Sequence, residues 1–76
     1  MVLKAYVFLV TKPGTSLEVV EQLRKTRGVA SADPIYGRFD VVAVVEAESP
    51  EALTDLIYNK VERIPNVVRT ETSLVI

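Results

Sequence analysis

Tyr36-Gly37-Arg38-Phe39-Asp40 runs straight into an almost unbroken apolar segment, Val41 to Val45. A glycine, an aromatic ring and an acid thus stand at the mouth of a segment that reads as core. A carboxylate beside such a run costs free energy unless it finds partners, because desolvating it is expensive. Two chemistries meet that requirement. In one, Gly37 supplies a permissive backbone and Asp40 accepts backbone hydrogen bonds, and the pentapeptide is simply a turn. In the other, Asp40 and the free backbone groups of the turn face a small polar ligand. A second polar stretch, Arg69-Thr70-Glu71-Thr72-Ser73, sets hydroxyls and charges in a row. Threonine is a good strand residue, so this stretch reads either as a soluble edge strand or as the donors and acceptors of a pocket.

Composition removes most other chemistries. The chain has no histidine and no cysteine. The commonest general base, the commonest transition-metal ligand, thiolate metal sites and disulfides are therefore all missing. Nine basic and ten acidic residues leave a net charge of -1 and are interspersed, with no basic stripe to neutralise phosphates. The local cluster Arg24, Lys25, Arg27 falls at the end of a predicted helix, where cations complement the helix dipole. No apolar stretch approaches the roughly 20 residues needed to cross a bilayer. Val7 to Val10 follows Lys4 but lacks the layout of a signal peptide. These features read as one complete domain, residues 1–76, soluble and cytoplasmic, with no cofactor, no membrane partner and no direct nucleic-acid partner.

The elements that must position the two polar stretches follow from periodicity. Val2 to Thr11 is strand-like and is ended by Lys12-Pro13-Gly14. Thr15 with Glu18 has the form of a capping box, and Leu17, Val20 and Leu23 recur at helical spacing. Gly28 is the expected C-cap. Val29 to Tyr36 is a weaker strand whose Pro34 lacks a backbone donor, which points to a sheet edge or a bulge. Val41 to Ala47 is a strong strand. Ser49-Pro50 opens a second helix with a stripe at Leu53, Leu56, Ile57, Val61 and Ile64, and Pro65-Asn66 ends it. Val67 to Ile76 is the last strand. Arg27-Gly28-Val29 and Pro65-Asn66-Val67 both leave a helix through a residue that tolerates positive φ. The order is β-α-β-β-α-β. Its usual solution is a ferredoxin-like α+β fold, a four-stranded antiparallel sheet with both helices on one face.

That solution leaves one face of the sheet uncovered. Leu3, Ala5, Val7 and Leu9 point one way while Tyr6, Phe8 and Val10 point the other, and Val42 and Val44 oppose Val41, Ala43 and Val45. Both faces are apolar, and monomers seldom expose such a patch above a few hundred Å². A small domain also buries only about 60% of its unfolded surface. With 49% hydrophobic residues and a mean hydropathy of +0.25, the expected support is a homodimer packed sheet to sheet through Tyr6, Phe8, Val10, Val42 and Val44. In the last strand, Val68, Thr70, Thr72, Leu74 and Ile76 form one face and Arg69, Glu71, Ser73 and Val75 the other.

Three segments together resemble the effector-binding domain of the Lrp/AsnC family, also called the regulation of amino-acid metabolism (RAM) domain. They are Tyr36 to Glu46, Ile64 to Val67, and Arg69 to Ile76. The resemblance spans essentially the whole chain, from Tyr6-Val-Phe-Leu-Val10 onward. The Gly-x-Phe-Asp turn combined with a Thr-x-Thr-Ser strand is specific, whereas either half alone is weak. The resemblance implies sheet-paired dimers of the dimeric α+β barrel type, assembled into octamers or similar rings. It implies amino-acid effectors bound between dimers, at Tyr36, Gly37, Arg38 and Asp40 of the turn and Thr70, Thr72 and Ser73 of the strand. Asp40 would take the ammonium; backbone amides near Gly37 and the hydroxyls would take the carboxylate. Arg38 beside Asp40 offers a local ion pair that would compete for the acid. The helix-turn-helix of full regulators is missing, so this looks like the stand-alone form, acting through assembly or through co-assembly with full-length regulators.

Two alternatives share the element order. Small dimeric α+β-barrel enzymes, monooxygenase-like or isomerase-like, need acid-base groups in a cavity between sheet and helices, where this sequence places Val, Ala and Leu. Its aromatic hydroxyls, Tyr6, Tyr36 and Tyr58, read as amphipathic packing residues. An ACT-like amino-acid sensor would favour a glycine-rich first turn, and Thr11-Lys-Pro-Gly-Thr15 has one glycine.

Overall fold

Alternation of branched and aromatic residues makes Leu3–Thr11 a nine-residue strand, β1. The computed structural model describes residues 2–76; Met1, the first residue of the expected domain, lies outside them. The chain continues through helix α1 (Ser16–Arg24), strands β2 (Val29–Pro34) and β3 (Val41–Ala47), helix α2 (Pro50–Leu56) and strand β4 (Val67–Leu74). The sheet order is β2-β3-β1-β4, and every pairing is antiparallel. The expected ferredoxin-like α+β order is therefore present. Pro34 lies at the end of an edge strand, where its missing N–H breaks no ladder.

Only one face of the sheet is sealed. Ala5, Val7, Leu9, Ala32, Val41, Ala43 and Val45 are buried against Val19, Val20, Leu23, Leu56, Ile57, Val61 and Ile64 of the helical layer. On the other face Tyr6 is 40% exposed, and Phe8, Val10, Val42 and Val44 are half-buried. The register places Tyr6 opposite Val44 and Phe8 opposite Val42, so these residues form one strip down the two central strands. Polar residues flank it: Ser31 and Asp33 opposite Val44 and Val42 on β2, and Arg69, Glu71 and Ser73 opposite Val10, Phe8 and Tyr6 on β4.

Several local expectations need correcting. Thr15 is the N-cap of α1, but its hydroxyl donates to Lys12 O at 2.7 Å and makes no cap bond; the capping box does not form. The tight Lys12–Thr15 turn, closed by Thr15 N–H to Lys12 O at 3.1 Å, claims that hydroxyl first. Leu17 is exposed and Val19 takes its place in the buried stripe with Val20 and Leu23. The helix ends at Arg24 with Lys25 as C-cap, three residues before Gly28. Arg24 does more than face the helix dipole: its Nε donates to Ala32 O at 3.0 Å and a terminal nitrogen pairs with Asp33 at 3.3 Å, tying α1 to the edge strand. Ser49 does cap α2, accepting from Ala52 N–H at 3.1 Å, with Pro50 in the first turn. Beyond Leu56 the helix widens into a π-helical turn, Ile57–Val61, in which Glu62 N–H reaches Ile57 O at 2.9 Å. In β4 a register shift sets Val67 opposite Thr11, so Val67 packs on the core and Val68 is exposed.

Gly28 and Asn66 stand at φ +100° and +78° in the turns ahead of β2 and β4; the second helical segment already ends at Val61, before the Pro65-Asn66 pair expected to end it. At Gly28 the reason is twofold, since a Cβ there would also lie 2.9 Å from Leu56 Cδ2. Gly28→Ala is expected to lower stability by roughly 1–3 kcal/mol, the usual cost of forcing a side chain into this backbone region. Urea denaturation checks it through a lower midpoint at unchanged slope.

Candidate functional site

Asp40 ends the loop between β2 and β3, and its backbone is fixed at both groups. Ile35 N–H donates to Asp40 O at 2.9 Å, closing the hairpin, and Asp40 N–H donates to Leu9 O at 2.9 Å. Its side chain reaches the end of β1, where Oδ2 accepts from Thr11 N–H at 2.8 Å, with the Thr11 hydroxyl at 3.5 Å. Thr11 is itself buried. The acid at the mouth of the apolar strand thus terminates β1 and supplies an acceptor where the ladder shifts register. Arg38 is not its partner: the ion pairs among the described residues are Arg24–Asp33 and Arg69–Glu71.

The tip of the loop is open. Tyr36 is fully exposed, and Gly37, at φ +125°, has nothing within 4 Å of where a Cβ would stand. Gly37 is required for its backbone angle and not for space. Phe39, which residue-type reasoning passed over, turns back onto the sheet. Its ring lies 5.3 Å from that of Phe8, and the Arg69 guanidinium sits 5.7 Å from its centroid. This stack joins the loop to β4 across β1.

The strand half of the site divides between two faces. Leu9 lies opposite both Val41 and Thr70, so Thr70 is two strand spacings, about 10 Å, from the start of β3. Thr70 and Thr72 lie opposite Leu9 and Val7 on the helix side, and Ser73 lies opposite Tyr6 on the open face. Within one protomer the three hydroxyls therefore do not converge. Thr70 donates to Glu62 Oε2 at 3.0 Å, and the pair borders a recess of about 310 Å³ with Val67, Val68 and Arg69. Glu62 and Thr11 are the contacts that residue types could not reveal, because each pairing is made by the fold. A larger cavity, about 600 Å³, lies elsewhere, at the opposite end of β3. Among the described residues no group of three or more acids is placed to hold a metal ion, and no helix is long and apolar enough to cross a membrane.

Residues 4–76 match the model of the Lrp/AsnC ligand binding domain, and the chain belongs to that family. It is a regulatory effector-binding domain of the Lrp/AsnC type. Among solved structures it is similar to FFRP-DM1, at 30% identity and TM-score 0.92, with 97% of this chain and 99% of that chain covered. It is also similar to the hypothetical protein PHS023 from Pyrococcus horikoshii, at 32% identity and TM-score 0.91, covering 100% and 90%. The transcriptional regulator NMB0573 from Neisseria meningitidis, solved as an L-Met complex, shares the fold at 17% identity and TM-score 0.86. There 97% of this chain covers 49% of the regulator, so the chain spans about half its length. No curated protein matches the sequence.

Asp40→Ala is expected to lower stability by about 1–3 kcal/mol, because Thr11 N–H loses its acceptor in a partly buried site. Asp40→Asn, which keeps an acceptor oxygen, should lose less. Urea midpoints of the two variants, compared with wild type, check the order.

Proposed function

We propose that this domain binds a free amino acid and assembles through its sheet, acting in the transcriptional regulation of amino-acid metabolism in the cytoplasm. The observation that carries the reading is the uncovered strip of Tyr6, Phe8, Val10, Val42 and Val44. It has an apolar centre and polar margins, the anatomy of a protein interface. A second copy related by two-fold symmetry covers it with the same residues. Dimers then meet in an octamer or similar ring, and the exposed loop tip at Tyr36 and Gly37 is available for that contact.

The effector lies between dimers, at Tyr36, Gly37, Arg38 and Asp40 with Thr70, Thr72 and Ser73. A carboxylate offers about four lone-pair sites, so Asp40 can hold Thr11 through Oδ2 and accept an ammonium through Oδ1. The split of Thr70 and Thr72 from Ser73 fits a pocket built by more than one subunit. The L-Met complex of NMB0573 supports an amino acid as the ligand class. These residues supply no duplex reading of their own: charge is balanced at -1, and both helices are packed on the sheet. Output passes through assembly, including co-assembly with full-length regulators of the family. The helix-facing side of the sheet carries Ala, Val and Leu, with Thr11 the one buried polar residue among the described residues, which favours a binding module over an enzyme.

Light scattering at micromolar concentration is expected to show at least a dimer of the 8.4 kDa chain. Phe8→Glu should dissociate it and lower its melting temperature, because a charge buried in an apolar interface is heavily penalised. Unchanged size would remove this face from the interface. Asp40→Asn is expected to weaken amino-acid binding roughly ten- to hundredfold in calorimetry while the fold, read by circular dichroism, persists. Equal affinity would reject Asp40 as the ammonium partner.

A further inference from the structure

We propose that the cleft between α2 and the paired start of β2 and end of β3 is a second binding site. Its ligand is a small zwitterion carrying both a carboxylate and an ammonium group. The cleft has a volume of about 600 Å³, within the range of small-molecule sites. It lies at the far end of β3 from the 36–40 loop. Seven residues at about 3.3 Å each put the two sites roughly 20 Å apart, so one ligand cannot occupy both.

Three departures from regular structure converge on this cleft. Gly28, at φ +100°, lets the turn approach Leu56 so closely that a Cβ would lie 2.9 Å from its side chain. Ala30 is the extra residue where the β2–β3 register shifts between Val29 and Ser31. Lys60 lies in the π-helical turn that follows α2. Bulges and π-helical turns carry a local cost and recur beside functional sites. All three residues border the same cavity.

The side chains around it have the chemistry for a zwitterion. Arg27 and Lys60 border the cleft together with Glu48 and Asp55. Among the described residues the ion pairs are Arg24–Asp33 and Arg69–Glu71, so neither cation of the cleft is neutralised by a protein carboxylate. Arg27 offers a planar fork for a carboxylate, and Lys60 adds a point charge. Asp55 is held by Asn59, whose amide donates to Oδ1 at 2.7 Å, and Glu48 stands with it as an acceptor for an ammonium. Val29, Ala52 and Leu56 give an apolar wall for a side group. A free amino acid and a dipeptide share this chemistry, and the volume admits either.

The test is an amide-resolved NMR titration of the wild-type chain with leucine and, separately, with leucyl-leucine, into the millimolar range. Saturable shifts at Gly28, Ala30, Ala47 and Ala52 are expected with at least one probe; the probe that saturates first identifies the source. Arg27→Ala and Lys60→Ala should each weaken that saturation at least tenfold with an unchanged circular dichroism spectrum. Lys25→Ala, a neighbouring cation outside the cleft, should leave it unchanged. N-acetyl-leucine amide, which lacks both charges, should produce no saturation. Shifts confined to residues 36–40 and 69–73 would overturn this second site and leave the site at the loop standing. No saturable shift at the cleft with either probe, or equal affinity in Arg27→Ala and Lys60→Ala, overturns it as well.

Discussion

β1 and β3 lie side by side in the middle of the sheet, and each is apolar on both faces. Two helices can seal only one of those faces. Everything else in the molecule answers to that constraint. The sealed side takes the small and branched residues, Ala5, Val7, Ala43 and Val45, because two helices must approach the sheet closely over a short span. The open side takes the larger rings, Tyr6 and Phe8, at a surface with room for them. The edge strands are polar where they border the open strip, which protects the sheet from pairing with unrelated chains while leaving its centre adhesive. A chain this small has few ways to finish its core, and the second copy proposed above would supply the missing layer.

The polar chemistry is arranged around the ends of those two strands. At one end Asp40 stops β1 by accepting from Thr11, and Phe39 stacks on Phe8 and Arg69. The loop is therefore rigid at its base and open at its tip, where Tyr36 and Gly37 meet solvent. A loop so built presents backbone amides and an acid in a fixed position at low ordering cost. It is also joined to the open strip of the sheet, since Phe8 belongs to that strip and its ring stacks on Phe39. At the other end of β3 the irregular turn, bulge and π-helical segment create the larger cleft.

Much of this was legible in the sequence. Alternation in residues 3–11 and 41–47 set two strands and both of their faces. The spacing of Leu56, Ile57, Val61 and Ile64 set the second helical stripe, and Ser49-Pro50 set its start. Pro34 marked the edge strand, and Gly28 and Asn66 marked the positive-φ positions just ahead of β2 and β4. These features are local: each follows from the backbone preference or the period of a few neighbouring residues. The combination of the 36–40 turn with the Thr70 to Ser73 strand also pointed to the family. Local reasoning erred where one side chain had two available partners, as at Thr15, whose hydroxyl bonds backward to Lys12 and not forward to cap the helix.

The tertiary structure alone decided which partners the polar groups find. That Asp40 meets Thr11, 29 positions away, follows from β1 and β3 pairing in one particular register. That Glu62 meets Thr70 follows from how the turn after the second helical segment brings the chain back into β4. That Val67 and not Val68 faces the core, and that Thr70 and Thr72 take the helix side while Ser73 takes the open face, follows from a register shift and from pairing against β1. None of these can be read from residue types, because a strand's alternation names its two faces without saying which neighbour stands across from each residue. The amino acids of this chain determined its elements, its two-faced sheet and its family, since those depend on local propensity and period. The contacts that give Asp40, Thr70 and Ser73 their surroundings depend on long-range register, and register exists only once the sheet has formed.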